Sequence, residues 1–289
     1  MSVSRKVIGY LGPRGTFSEK AARLYQARML GTETVCLQPF SSIVELISAA
    51  DAESVDQAVT PLENSLEGPV ALTLDMLAHE VDLKMAAEVV VSVRHYLLGV
   101  KGTDYGGIQR VISHPQALGQ CRAFLQKHLP AAELTMASST AEAARLVAGG
   151  DSTSTAIGNT TAAAVYGLEI LAADIQDNRD NATRFCVLAK GGDNAPTGDD
   201  KTSLVFSPRE NRAGILYEQL WEFASRGVDL TRIESRPAKR VLGEYLFFLD
   251  IAGHHTSPDV AEALEAVAGH SSFFRLLGSY PRWREDVLS

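Results

Sequence analysis

The feature that most constrains the fold of this chain is a regular alternation of short apolar runs with amphipathic segments. Strands are predicted at residues 7–11, 34–38 and 57–60, and helices at residues 17–30 and 42–50 lie between them. Strands that alternate with helices favour a largely parallel, doubly wound sheet with helices on its faces. The first part of the sequence therefore predicts an α/β fold.

The alternation is interrupted at residues 191–201, where Gly, Pro, Asp and Asn cluster between two apolar runs. Such a cluster is typical of a loop, and we interpret it as an interdomain linker. After it, the pattern predicts strand 203–207, helix 213–225, strands 228–235 and 244–251, helix 258–268 and strand 272–278. This order is βαββαβ, the ferredoxin-like arrangement. We expect a small second domain.

Composition excludes several classes of protein. The 289 residues allow two domains, and 45% hydrophobic residues are enough for sizeable cores. The formal net charge is −8 without a basic block, which argues against nucleic acid as a partner. The N-terminal apolar run is too short for a signal peptide or a membrane span, so we expect a cytoplasmic protein without membrane contact. Three widely separated cysteines are expected to be small buried residues.

Several helix starts are marked by local chemistry. Thr16, Ser42 and Ser139 each stand three residues before a Glu, which is the capping-box spacing, and Pro115 suits the first position of a helix. Amide groups at helix N-termini also attract anions, so hydroxyl-rich helix starts around one cleft can bind carboxylates.

The run 89–100 is long and rich in β-branched residues. We expect it to form a strand that passes from one lobe of the first domain to another. A second crossing of the same kind is then required near residues 184–189.

Known motifs for metals and cofactors are missing from the sequence. It contains no HExxH, no GxxxxGK[ST] and no GxGxxG, so neither a dedicated metal site nor a nucleotide cofactor is predicted. A GxSxG elbow is also missing, which argues against an acyl-enzyme hydrolase.

Polar turns follow the predicted strands of the first domain. In open α/β sheets, ligands bind beyond the carboxyl ends of the strands, so these turns are the candidate site. They comprise residues 12–19, 61–70, 113–118, 139–141 and 181–185.

Five segments together carry a family resemblance: GPRGTFSE, PLENSLEGPV, SHPQALGQC, ATRF and, after the linker, IESRP. With these segments in this order, the chain resembles the prephenate dehydratases, which convert prephenate to phenylpyruvate. The resemblance implies a two-lobed, periplasmic-binding-protein-like catalytic domain over residues 1–190 and a linker at 191–201. It further implies a ferredoxin-like ACT domain over residues 202–289 that binds phenylalanine and inhibits the enzyme.

This reaction needs no cofactor, which agrees with the lack of cofactor motifs in the sequence. Prephenate loses carbon dioxide and a hydroxyl group from opposite ring carbons, and the ring becomes aromatic, so the protein must mainly orient a dianion and assist the departing hydroxyl. The resemblance associates Thr183 with activity, through a hydrogen bond to that hydroxyl. The alternative is a threonine that only caps a turn.

The remaining substrate-binding candidates come from the polar turns: Thr16, Ser18, Asn64, Ser65, Ser113, Gln116, Ser139, Thr140, Arg184 and Phe185. Thr16 and Ser18 are either donors to the substrate or helix caps only. Arg184 either pairs with a substrate carboxylate or anchors the loop before it through Asp177 or Asp180. Phe185 packs either on the substrate ring or in the core. Glu63 is either a proton source or a solvated or lobe-bridging carboxylate, and His114 is either a general acid or a structural residue at a helix entrance.

The resemblance also places the phenylalanine site between the ACT domains of two subunits. Its candidate residues form two groups, Asn211, Ala213, Gly214, Ile215 and Leu216 in a turn and Glu234, Ser235, Arg236 and Pro237 at a strand end. Ala213 stands where the family usually has proline, and Ile215 where it has alanine. The larger Ile215 side chain can narrow the effector pocket and change its affinity or selectivity.

A site shared by two subunits requires an oligomer, so we expect a homodimer or a homotetramer. The partners expected are prephenate as substrate and L-phenylalanine as effector. Two alternatives remain open on the sequence: an arogenate dehydratase, with identical chemistry on the amino analogue, and a non-catalytic amino-acid sensor. Assaying both substrates separates the first, and ligand binding without phenylpyruvate release would favour the second.

Overall fold

A computed structural model describes residues 6–29, 34–191, 194–239 and 244–284. The helices are α1 (Phe17–Met29), α2 (Ile43–Asp51), α3 (Ala71–His79), α4 (Pro115–Gln120), α5 (Arg122–His128), α6 (Thr140–Ala148), α7 (Thr160–Tyr166), α8 (Ile215–Ala224) and α9 (Pro258–Gly269). The strands are β1 (Lys6–Leu11), β2 (Val35–Phe40), β3 (Gln57–Asn64), β4 (Gly68–Pro69), β5 (Lys84–Ser92), β6 (Tyr96–Gly99), β7 (Arg110–Ser113), β8 (Glu133–Met136), β9 (Ser154–Gly158), β10 (Glu169–Ala172), β11 (Ala182–Ala189), β12 (Asp200–Pro208), β13 (Leu230–Pro237), β14 (Tyr245–Ala252) and β15 (Ser271–Pro281).

The strands form three sheets. The first has the order β2-β1-β3-β11-β5, with β4 beside β3, and the second has the order β10-β6-β9-β7-β8. Strand β1 pairs with β2 in parallel, and β7 pairs in parallel with both β8 and β9, whereas β6 is antiparallel to β9 and β10. The α/β class predicted from the alternation of elements is confirmed.

The third sheet is antiparallel, with the order β13-β14-β12-β15. Its elements follow one another as β12, α8, β13, β14, α9 and β15, which is the predicted ferredoxin-like order. The apolar faces of both helices and of the sheet form one core that includes Phe206, Phe223, Leu249 and Val267, all at most 1% exposed.

The chain divides into two compact units. The first contains residues 1–46, 59–70 and 90–185, and the second contains residues 47–58, 71–89 and 186–289. These units interleave along the chain, whereas the domain boundaries predicted from the sequence are continuous. Those boundaries stay a prediction.

The segment expected to be a linker is held by hydrogen bonds within the second unit. Asn194 Nδ2 donates to the backbone oxygens of Ala86 (2.8 Å) and Ser279 (3.0 Å). The hydroxyl of Thr197 donates to Asp200 Oδ1 (2.7 Å), and β12 already begins at Asp200. Residues 192 and 193 lie outside the described residues.

The helix starts follow the predicted capping chemistry. The hydroxyls of Thr16, Ser42 and Ser139 each accept a hydrogen bond from the backbone N–H three residues later, at 3.0–3.2 Å. Pro115 is the first residue of α4, and His114 is its N-cap. The hydroxyl half of each predicted capping box is confirmed, whereas Glu19 and Glu45 accept hydrogen bonds from Gly15 N–H and from the Ser41 hydroxyl.

The run 89–100 passes from the first sheet to the second, as predicted, but it is not one strand, and that part of the expectation was wrong. Strand β5 ends at Ser92 in the first sheet, and β6 begins at Tyr96 in the second. Between them the backbone at residues 93–95 bonds to other segments: Val93 N–H donates to Asn181 O (2.8 Å), and His95 O accepts from Ile175 N–H (3.0 Å).

The cysteine expectation holds for Cys121 and Cys186, which are buried, but not for Cys36, which is half-buried on β2. Within the described residues, none of the helices combines the length and apolar composition that crossing a membrane requires.

Candidate active site

A cavity of about 330 Å³ lies within the first unit. Each of its walls comes from a turn or a helix start that follows a strand, as expected for an α/β sheet. The lining residues are Leu11, Thr16, Phe17, Asn64, Val93, His95, His114, Gln116, Ala117, Gln120, Ser138, Ser139, Thr140, Asn181 and Thr183.

The first wall is the turn between β1 and α1. Thr16 Oγ1 accepts the N–H of Glu19 (3.2 Å) and donates to the backbone oxygen of Leu11 (3.0 Å). The buried Glu19 carboxylate accepts the Gly15 N–H at 2.5 Å and forms an ion pair with Arg23 at 2.6 Å. Both hydrogen-bonding functions of the Thr16 hydroxyl are therefore engaged within the turn.

The second wall is built around Asn64 and Thr183. Asn64 Oδ1 accepts the backbone N–H groups of Leu66 and Glu67, both at 3.0 Å, and so shapes the turn after β3. Its Nδ2 donates to Thr183 Oγ1 (2.9 Å) and to Asn181 Oδ1 (2.9 Å). Because the Thr183 oxygen already accepts a bond from Asn64, its hydroxyl hydrogen is available to a ligand.

The third wall consists of the N-termini of α4 and α6. Ser139 Oγ accepts the N–H of Glu142 at 3.0 Å, and Thr140 is the first residue of α6. At α4, His114 Nδ1 accepts the Gln116 N–H at 3.4 Å, which is the structural arrangement considered for His114. The amide ends of these helices supply partial positive charge without a cationic side chain.

The described lining carries no permanently charged side chain. Among the described residues that form the cavity there is no Lys, Arg, Asp or Glu, and the titratable groups are two histidines. Burial lowers the pKa of His95, although a hydrogen bond with Gln120 opposes the shift. In the described part of the chain, no group of three or more His, Cys, Asp and Glu side chains is arranged to hold a metal ion.

The structure brings six of the predicted substrate-site residues into this cavity: Thr16, Asn64, Gln116, Ser139, Thr140 and Thr183. The other five lie outside its lining, and each has a structural partner or a core position. They are Ser18, Ser65, Ser113, Arg184 and Phe185.

Ser18 is buried in α1, and Phe185 is buried in β11 at 2% exposure, in line with core packing rather than ring stacking. The Ser113 hydroxyl donates to the Ile157 backbone oxygen at 2.8 Å. The Ser65 hydroxyl accepts the Ala182 N–H at 3.0 Å.

Arg184 forms an ion pair with Glu63, which is neither a substrate carboxylate nor one of the two loop aspartates expected from the sequence. Its Nη1 lies 4.0 Å from Glu63 Oε2, and its side chain is 12% exposed. Asp177 instead accepts the N–H of Ala123 at 3.1 Å. Both residues belong to neighbouring strands of the first sheet, β3 and β11, so this ion pair lies within one sheet and does not bridge two lobes.

Sequence reasoning missed His95, Gln120 and Asn181 as site residues. Gln120 belongs to SHPQALGQC, a segment that carried the resemblance, and Asn181 is the first residue of the candidate turn 181–185, so both positions were a usable signal. His95 stands inside the run interpreted as one strand, and only the break between β5 and β6 exposes its ring to the cavity.

The predicted effector residues lie in the second unit. Gly214 has φ +85° and opens α8, and Ile215 lines two cavities, of about 450 and about 190 Å³. Neither cavity includes a residue of 234–237. Arg236 is bound instead to Asp75, with Nε–Oδ1 at 3.0 Å and Nη2–Oδ2 at 3.1 Å.

Comparison with known proteins decides the family. The prephenate dehydratase family model matches residues 8–193. The chain belongs to the prephenate dehydratase family. The prephenate dehydratase of Methanocaldococcus jannaschii is 38% identical over 96% of this chain and 98% of its own. The bifunctional chorismate mutase/prephenate dehydratase of Neisseria gonorrhoeae is 42% identical over 95% of this chain and 74% of its own.

A solved structure is similar over nearly the whole chain. The crystal structure of the prephenate dehydratase from Arthrobacter aurescens in complex with L-Phe has a TM-score of 0.85 and 39% identity, and the match covers 96% of this chain and 90% of that one. The fold described above is thus that of a prephenate dehydratase, and the cavity around Thr183 lies within the residues that the family model matches.

Proposed function

We propose that this chain catalyses the decarboxylating dehydration of prephenate to phenylpyruvate, a lyase reaction of L-phenylalanine biosynthesis. The ring C–carboxylate bond breaks to release carbon dioxide, its electron pair enters the ring, and the C–O bond to the hydroxyl breaks. The departing hydroxyl takes one proton and leaves as water. Because aromatisation supplies the driving force, the protein has to orient a dianion and assist this departure.

The observation that carries the proposal is the bond from Asn64 Nδ2 to Thr183 Oγ1 at 2.9 Å, beside a neutral cavity in a member of this family. With its oxygen occupied as an acceptor, Thr183 can donate its hydrogen to the leaving hydroxyl. Donors aimed at developing negative charge are worth roughly 10²- to 10³-fold in rate each.

The walls opposite Thr183 suit the substrate carboxylates. The N-terminus of α6 presents Ser139 and Thr140 to the cavity, and Gln116 lies at the start of α4. Backbone amides at helix starts bind anions by hydrogen bonding and by the helix dipole. Phe17 and Val93 supply the apolar surface for the ring.

The test is incubation of the full chain with prephenate, with phenylpyruvate followed by ultraviolet absorbance. Thr183→Ala is expected to lower kcat by about 100-fold or more, and Thr183→Ser, which keeps the hydroxyl, is the matched control. A folded Thr183→Ala variant with wild-type kcat would remove Thr183 from the mechanism. A much larger kcat/KM for arogenate than for prephenate would assign the chain to the alternative substrate.

The regulatory part of the proposal is that residues 202–289 form an ACT domain whose phenylalanine site involves residues 211–216 and 234–237 and lies between subunits of a homodimer or homotetramer. Two observations support it. The first is the βαββαβ order of the elements. The second is that residues 211–216 and 234–237 of one chain share neither of the two cavities that Ile215 lines, as expected if each group meets the other across a subunit interface. Inhibition assays with L-phenylalanine and sedimentation analysis with and without it test this part. A monomer that is still inhibited by phenylalanine would overturn the shared site. The cytoplasmic location stays a prediction.

A further inference from the structure

His95 is a buried histidine at the candidate active site. It is 2% exposed and lines the cavity from the segment between β5 and β6. Its backbone N–H donates to Gln176 Oε1 at 2.9 Å, and its ring packs edge-on against Phe17 with the ring centres 5.8 Å apart. The ring is therefore held in place from the backbone and from one side, and its nitrogens face defined partners.

A continuous series of hydrogen bonds joins His95 to Thr183. His95 Nε2 lies 2.9 Å from Gln120 Oε1, which also accepts Asn181 Nδ2 at 3.2 Å. Asn181 Oδ1 accepts Asn64 Nδ2 at 2.9 Å, and the same Nδ2 donates to Thr183 Oγ1 at 2.9 Å. All five side chains line the cavity.

Two backbone N–H groups determine which atom donates and which accepts in every bond of this series. The N–H groups of Leu66 and Glu67 can only donate, so the atom of Asn64 that they reach is the oxygen. The other end of that amide is therefore the NH₂ group, which donates to Asn181 Oδ1 and Thr183 Oγ1 at 2.9 Å and, more weakly, to the Ala182 backbone oxygen at 3.2 Å. Asn181 must then present its oxygen to Asn64.

The remaining bonds are settled in turn. With its oxygen on Asn64, Asn181 presents its NH₂ group to Gln120, which must accept through Oε1. An atom that accepts from Asn181 cannot donate to His95, so the His95 nitrogen facing it carries the hydrogen. The geometry therefore assigns the Nε2–H tautomer to His95 without reference to any hydrogen position.

The other ring nitrogen completes this assignment. No described residue bonds to His95 Nδ1, which is shielded from solvent. A hydrogen placed on Nδ1 would be a buried donor with no acceptor among these residues, which is costly. Burial lowers the pKa of His95, with the Gln120 bond opposing, and this also favours the neutral ring.

We propose that His95, as a neutral Nε2–H imidazole, is a positioning residue that acts through Gln120, Asn181 and Asn64 to keep the Thr183 hydroxyl hydrogen directed at the substrate. The proposal rests on the proposed function of Thr183. Without the donor at His95, one of the two bonds that orient Gln120 Oε1 is lost, and the amide can rotate. Asn181 then loses the fixed acceptor of its NH₂ group. Asn64 keeps its bonds from Leu66 and Glu67, so the effect on Thr183 is carried by Asn181, whose oxygen shares the Asn64 NH₂ group with Thr183.

The first test is the tautomer, which does not depend on activity. In the full chain labelled with ¹⁵N-histidine, His95 is assigned as the signal missing from the His95→Gln variant. We expect a protonated Nε2 and an unprotonated Nδ1 at neutral pH. A hydrogen on Nδ1, whether in the other tautomer or in a charged ring, would overturn the proposal.

The second test compares two replacements of His95. His95→Leu removes the donor and is expected to lower kcat by roughly 10- to 100-fold with little change in KM, since a small misplacement of a reacting group has this effect. His95→Gln keeps an N–H donor toward Gln120 and is expected to restore most of kcat. His128→Gln, at an exposed histidine of α5, is the control and is expected to be unchanged.

The outcomes separate the proposal from the function on which it rests. If the wild-type chain forms no phenylpyruvate, the proposed function fails whatever the tautomer. If it does, an unchanged kcat in His95→Leu, or an equal loss in both His95 variants, overturns the positioning role. Where either variant does not fold, the tautomer measurement on the wild-type chain still decides.

Discussion

Asp75 and Arg236 form a mostly buried ion pair of the second unit, and its disruption should weaken that unit. Both carboxylate oxygens of Asp75 accept from Arg236, and Oδ2 also accepts from Lys239 at 2.6 Å. The Asp75 and Arg236 side chains are only 12% and 17% exposed, whereas Lys239 is 60% exposed. Asp75→Ala therefore leaves a mostly buried guanidinium without its anion.

Removing one member of a buried pair costs about 3–5 kcal/mol, mainly because the remaining charge is stranded. Since Arg236 is not fully buried and the Lys239 contribution is that of an exposed pair, worth less than about 1 kcal/mol, we expect a loss of about 3 kcal/mol for Asp75→Ala. That loss lowers the folding equilibrium constant by roughly 100- to 200-fold. The double variant Asp75→Ala/Arg236→Met should lose only about 1 kcal/mol, because no charge is stranded.

The assay is urea unfolding followed by tryptophan fluorescence. The sequence has two tryptophans, Trp221 and Trp283, and both belong to the same unit as Asp75 and Arg236, so the signal reports that unit. A loss below about 1 kcal/mol for Asp75→Ala, or a double variant whose loss equals the sum of the single ones, would refute the reasoning.

The pair also predicts a dependence on pH. Burial by itself would raise the pKa of Asp75, but the hydrogen bonds and charges of Arg236 and Lys239 outweigh it and lower that pKa below its usual value. The folded state thus binds the proton less readily than the unfolded state. The stabilisation is present above about pH 4 and is lost as the pH falls through the lower folded-state pKa. The difference between wild type and Asp75→Ala should shrink accordingly in acid.

Three further predictions concern single positions. Gly15→Ala should lower the melting temperature more than Gly68→Ala: both glycines have φ above +80°, but a Cβ at Gly15 would lie 3.0 Å from the Tyr166 ring and 3.1 Å from Ala162 Cα, whereas no described atom lies within 4 Å at Gly68. Equal decreases in melting temperature would show that the destabilisation comes only from the left-handed backbone conformation, which costs about 1–2 kcal/mol, and not from the contacts of the added Cβ. Burial, aided by the charge of Asp177, raises the pKa of Cys121 to about 12, so iodoacetamide at pH 8 should label Cys36 before Cys121 in the native chain, and mass spectrometry of peptides checks the order. Ile215→Ala should lower the phenylalanine concentration for half-inhibition, by roughly tenfold, and an unchanged inhibition curve would remove Ile215 from the effector site.

The parts of the fold that the sequence predicts are those decided locally. The caps at Thr16, Ser42 and Ser139 depend on a three-residue spacing, and the βαββαβ order follows from hydrophobic periodicity. The break at residues 93–95 could not be predicted, because the N–H of Val93 and the O of His95 are satisfied by segments about 80 residues away. Residue-by-residue β propensity carries no information about such partners.

The same distinction holds for the candidate site. The rule that ligands bind beyond strand ends selected Thr16, Asn64, Gln116, Ser139, Thr140 and Thr183, which the fold gathers around one cavity. Ser113 and Arg184 come from the same turns, but their side chains bond to Ile157 O and to Glu63. Which way a side chain leaves a turn depends on the order of strands in the sheets, and single motifs do not contain that order. The roles of all these residues stay predictions.

The neutral lining of the cavity has a consequence for how substrate arrives. A dianion approaching a chain of formal net charge −8 is repelled at long range, and no cationic side chain among the described lining residues offsets this repulsion by electrostatic steering. Within the described lining, the attraction comes from oriented dipoles at contact distance, inside the Debye length of about 8 Å at physiological ionic strength. Added salt should therefore speed the association of prephenate, whereas in a pocket lined with lysine or arginine it would slow it.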